Sequence, residues 1–142
     1  MYDVRSRYLA DTVATVGPAR LLTMLYDRML LDVERAEVAQ RQGDRVEGTA
    51  QLTHAQEIIA ELIASLDTGV WDGGPGLLSL YSFLLTELIE ASMTGDADRT
   101  AGCRELIAPL RDAWHDAAAA VAPAPASEPV AAGALMGDLG VG

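Results

Sequence analysis

Residues 17–36 read GPARLLTMLYDRMLLDVERA, and the fold turns on this stretch. Leu22, Leu25, Met29, Val33 and Ala36 recur in steps of three and four, which traces one continuous face of a helix. Leu21, Met24, Leu30 and Leu31 flank that face and widen it. A helix apolar over so much of its circumference must be covered on more than one side. Pro18 marks the expected start, because the N–H that proline lacks is not needed at the first helical position. The stretch reads as a central helix over about 18–41, and some of what covers it need not belong to this chain.

Downstream the same logic repeats. Gly43 suits a left-handed cap, and Asp44 can then accept from the first N–H groups of a second helix over about 45–66. Leu52, Ala55, Ile59, Leu62 and Leu66 form its apolar face, widened by Ile58 and Ile63. Residues 67–76, DTGVWDGGPG, read as a loop punctuated by glycine. The third helix, about 77–94, carries Leu77, Tyr81, Leu84 and Leu88 on one stripe and Leu78, Leu85 and Ile89 on another. Gly95 closes it, and Asp96 or Asp98 opens a fourth helix running to about residue 121. There Cys103, Ile107, Leu110, Trp114, Ala117 and Val121 repeat at heptad spacing, and Pro109 is expected to bend the helix. Short turns between long helices make neighbours antiparallel, so the fold class is all-α, an up-down-up-down four-helix bundle over 17–121. Residues 1–16 read as an N-terminal arm, a short helix with one sticky face around Tyr8, Leu9 and Val13. Residues 122–142, rich in Ala, Pro and Gly, read as a disordered tail.

The totals narrow the function. The 142 residues favour one domain, and half of them are hydrophobic while only 5% are aromatic, so the core must be aliphatic. A formal net charge of −11 repels a phosphate backbone and an anionic membrane surface. The single Cys103 cannot form an internal disulfide, which fits a reducing compartment. The N-terminus has no apolar core of a signal peptide, and no apolar run approaches the ~20 residues of a membrane span. A cytoplasmic protein with neither nucleic acid partner nor membrane insertion is expected.

Catalytic constellations are missing. A di-iron bundle needs Glu-x-x-His pairs; Asp112 stands three residues before His115, but Gln51 precedes His54 at that distance. A histidine phosphotransfer bundle is the enzymatic rival, but Glu57 beside His54 would repel a phosphoryl group. Cys103 lies on a core stripe, and the loop glycines lack the Lys and Ser/Thr of a phosphate loop. No enzyme, metal or cofactor is expected. What remains is apolar surface beyond one inward stripe per helix. It points either to a groove that receives an amphipathic helix or to a homodimer interface, and Met24 and Met29 would suit either.

Several ordered pieces resemble the flagellin-specific export chaperone family FliS. They are Tyr8 to Val13; Gly17-Pro18 with Leu22 and Met24-Leu25-Tyr26-Asp27; Gln42-Gly43-Asp44; and Ala55-Gln56-x-Ile58-Ile59 with Leu66-Asp67. Gly73-Gly74, Leu80-Tyr81, Leu88-Ile89-x-Ala91 and Arg111-Asp112-Ala113-Trp114 complete the set, so the likeness covers about 8–117. Pro75-Gly76 after the glycine pair, Trp71 and Pro109 depart from the family pattern. The resemblance implies a chaperone that binds the disordered C-terminal helical segment of flagellin, prevents premature polymerisation and escorts it to the flagellar type III export apparatus. Export gate components would be further partners. It also implies that Tyr8 plugs the hydrophobic site, and that Leu22, Tyr26, Met29, Ile59, Leu62, Tyr81 and Leu85 line the groove. On that reading Met29→Asp weakens binding and leaves helicity nearly intact. The competing expectation is a structural homodimer that spends the extra apolar faces on itself.

Overall fold

The computed structural model describes residues 4–66 and 74–121, with side chains over 19–66 and 74–120. Among these, four helices follow one another: α1 (Val4–Arg41), α2 (Arg45–Ser65), α3 (Gly74–Thr94) and α4 (Ala97–Val121). They pack as a ring in which α1 and α3 each contact α2 and α4. The all-α antiparallel bundle read from the sequence is the observed architecture.

The first helix differs from expectation at its start. Instead of beginning at Pro18, it runs unbroken from Val4 through Gly17 and Pro18. Proline forfeits one backbone bond in a helix interior, yet its fixed φ is already helical, so the helix can carry through it. The expected arm therefore continues α1 in backbone, while the tail over 122–142 and the segment around Trp71 lie outside the described residues. The third helix also starts three residues before the expected Leu77, at Gly74.

The turns form as their residues dictate. Gly43 takes φ 80°, its N–H bonds the Gln40 carbonyl at 3.0 Å, and the Asp44 N–H bonds the Ala39 carbonyl at 2.8 Å. This pair of bonds closes α1 as a Schellman motif. Asp44 then accepts from the Glu47 N–H at 3.0 Å and caps α2. Gly95, at φ 70°, ends α3 beneath the Arg45 side chain; a Cβ there would lie 2.7 Å from Arg45 Cδ. Arg45 in turn donates to the Met93 carbonyl at 3.2 Å, and Asp96 caps α4 by accepting from the Asp98 N–H at 2.9 Å.

One aliphatic core runs the length of the ring. It contains Tyr26, Met29, Val33 and Ala36 of α1, Leu52, Ala55, Ile59 and Leu62 of α2, Tyr81, Leu84, Leu88 and Ala91 of α3, and Cys103 and Ile107 of α4. Near the turns Gln40 ties three helices, donating to the Ala91 carbonyl at 3.2 Å and accepting from the Thr100 hydroxyl at 2.6 Å. Halfway along, the fully buried Asp32 accepts from Arg28 Nε at 2.9 Å and pairs with His54 Nδ1, linking α1 to α2. A buried carboxylate needs such partners, since leaving one uncompensated is costly. Pro109 lies inside α4 on its exposed side. By length and composition α3 is apolar enough to cross a membrane, against the expectation that no stretch would be. Its Tyr81, Leu84, Leu88 and Ala91 are buried against the other helices, and its only charges are Glu87 and Glu90.

Candidate partner-binding groove

Where α3 starts, α2 finishes and the middle of α1 passes α4, the described side chains leave a hollow beside the core. Leu21, Leu22 and Leu25 of α1, Leu62, Ser65 and Leu66 of α2, Leu77 and Tyr81 of α3, and Trp114 of α4 surround a cleft of about 620 Å³. That volume falls within the ordinary range of ligand sites, roughly 300–1,000 Å³. The lining is almost wholly apolar, because Ser65 spends its hydroxyl on the Leu62 carbonyl at 3.2 Å.

Aromatic rings form the floor. Tyr26 stands behind Tyr81 with ring centroids 6.5 Å apart, and on its other side lies Trp114 at 6.3 Å. The two tyrosine hydroxyls are 2.6 Å apart in a buried hydrogen bond. Burial, reinforced by the neighbouring Tyr81, drives the Tyr26 pKa well above the ordinary phenol value, so both groups hold their protons.

Beside Trp114, an ionic clamp ties α4 to α1. Asp27 Oδ1 accepts from Arg111 Nε at 2.7 Å and lies 2.8 Å from His115 Nε2. Burial works to raise the Asp27 pKa, but the hydrogen bonds and charges of His115 and Arg111 outweigh it and hold the carboxyl below its ordinary 3.8. A depressed pKa stabilises the fold fully above the unfolded value, and that share is lost as pH falls through the folded one. Acid titration of the folded protein below about pH 4 is therefore expected to weaken this clamp. Comparing thermal stability between pH 6 and pH 3, Asp27→Asn should lose less than the parent chain; an equal loss would remove the clamp from the account.

The structure gathers some of the expected groove residues and separates others. Leu22, Leu62 and Tyr81 share the cleft, and Tyr26 backs it. Met29 and Ile59 are fully buried further along the core, while Leu85 is half-buried against the outside of that core, away from the cleft. The side chain of Tyr8 lies outside those described. Missed were Leu21, Leu25, Leu66, Leu77 and Trp114, which only the packing of all four helices brings together. Elsewhere Leu31, Val38, Val46, Phe83, Ile89 and Met93 remain exposed.

Among the described residues, the histidines and the cysteine are held in structural contacts. His54 is half-buried and held by Asp32. The Cys103 thiol is buried, its pKa pushed up to about 12 by that burial and by the nearby Glu87 charge. Among the described residues, no group of three or more His, Cys, Asp and Glu could hold a metal ion.

The described residues thus frame one apolar cleft in a four-helix ring, and comparison with known proteins places the chain. The family model described as flagellar protein FliS matches residues 1–121, ending where α4 ends. The chain belongs to the FliS family. Two relatives carry the name flagellar secretion chaperone FliS. The one from Bacillus subtilis is 27% identical over 110 residues, covering 78% of this chain and 82% of the relative. The one from Escherichia coli is 27% identical over 108 residues, covering 75% and 79%. The matched region spans the whole helical ring, so the cleft and its aromatic floor belong to the FliS part of the chain.

Proposed function

We propose that the protein is a cytoplasmic, non-enzymatic flagellar secretion chaperone that receives the C-terminal helical segment of flagellin in the apolar cleft of its helical ring. It keeps that segment from polymerising early and carries it to export gate components. The observation that carries this reading is a preformed apolar cleft of about 620 Å³ in a FliS-family ring. A disordered amphipathic segment loses chain entropy on docking and needs preformed apolar surface to compensate. The half-buried Leu85 and the exposed Ile89 extend apolar surface beyond the cleft for a longer segment. Tyr8 remains the proposed cover of the site in the free protein.

Calorimetric titration of the full chain with a synthetic peptide of the cognate flagellin C-terminal segment tests the proposal. Micromolar or tighter binding supports it, and no heat at tens of micromolar overturns it. Sedimentation of the same samples addresses self-association through the exposed Phe83, Ile89 and Met93. A tight dimer indifferent to the peptide would replace the chaperone by a structural homodimer.

A further inference from the structure

The hydrogen bond between Tyr81 of the cleft and Tyr26 behind it has a direction. Two phenols 2.6 Å apart share one hydrogen bond, which uses one of their two protons. Tyr26 is 0% exposed and does not line the cleft. Neither hydroxyl meets another acceptor among the described residues. Were Tyr26 to accept from Tyr81, its own proton would be sealed in the core without a partner, at a cost of about 1–3 kcal/mol. Tyr26 therefore donates, and Tyr81 accepts. Tyr81 is 2% exposed and lines the cleft, so its unspent proton has the cleft as its outlet.

We propose that the Tyr81 hydroxyl reads the bound segment by donating to one uncharged side-chain oxygen on it, from Asn, Gln, Ser or Thr. Within a ligand helix the backbone carbonyls are already engaged with N–H groups four residues on. A carboxylate would have to be desolvated among leucines. An uncharged side-chain acceptor meets neither obstacle, and it would fix the register of a segment that the apolar walls alone would let slide. The assignment rests on the flagellin reading of the cleft and specifies what the segment must present there.

A double-mutant cycle by calorimetry tests it, using the full chain, its Tyr81→Phe variant, the flagellin C-terminal peptide, and peptides with each Asn, Gln, Ser and Thr changed singly to Ala. Tyr81→Phe is expected to weaken binding about 10-fold with an unchanged helical spectrum, because it orphans the ligand's acceptor. At one peptide position the Ala change should cost a similar factor, with little further loss when both changes are combined. Tyr81→Phe binding as tightly as the parent, or losses that multiply at every peptide position, would overturn the role of Tyr81. A purely structural tyrosine would lower thermal stability without producing that coupling. Failure of the unaltered chain to bind the unaltered peptide is a different outcome, and overturns the flagellin reading itself.

Discussion

Met29→Asp is expected to abolish the folded bundle, leaving little helical circular dichroism at neutral pH and no cooperative thermal transition. Met29 is 0% exposed and sits in the core cluster with Tyr26 and Val33 of its own helix. Truncating a buried Met costs about 2–5 kcal/mol through lost burial and a residual cavity. The carboxylate adds the penalty of an unpaired charge in the core, several kcal/mol more even after relaxation or protonation. Domains of this size are stable by only about 5–15 kcal/mol, so the sum takes most or all of the margin. Met29→Leu, which nearly conserves volume, should cost less than about 1.5 kcal/mol and separates the charge from the change of side chain. A folded, fully helical Met29→Asp protein would show that the side chain is not core, and would restore the surface role inferred from sequence.

That reversal shows where sequence legibility stops. Period and capping residues were enough for the four helices, since Gly43, Asp44 and Gly95 each act locally. Which side of a wide apolar face points inward is not local. Met29 and Leu22 stand on the same sequence stripe, yet one is sealed in the core and the other lines the cleft. The difference is their height along the ring, which neighbouring helices set. Trp114 and Tyr26 are 88 residues apart in the chain and meet only when α4 closes on α1. Asp32 was illegible for a related reason. A lone acidic residue on a helix reads as solvated, and its partner His54 comes from the next helix. The helix start at Pro18 failed differently: a valid local start signal was overridden by helix that already runs in from Val4.

Leu21→Asp is expected to reduce affinity for the flagellin segment more than 100-fold while leaving the free protein folded. Leu21 lines the cleft but is only half-buried, and unlike Leu22 and Leu25 it is not packed against the core cluster. In the free chain its carboxylate can keep its water, so thermal stability should change by no more than a few degrees. A docked apolar segment would strip that water and supply no cation in return. An uncompensated buried charge costs roughly 3–5 kcal/mol, and at 1.4 kcal/mol per decade the lower figure already exceeds two orders of magnitude. Leu31→Asp provides the comparison. That residue is exposed on the same helix, about 15 Å further along the axis at 1.5 Å per residue, and outside the cleft. It adds the same charge to a chain already at −11, so any long-range repulsion of the peptide is common to both variants. If the two lose affinity equally, the effect is net charge, and the cleft is not where the segment docks. If Leu21→Asp alone loses it, the segment must bury the turn of α1 around Leu21, because desolvation at that one place is the only term in which the variants differ by so much.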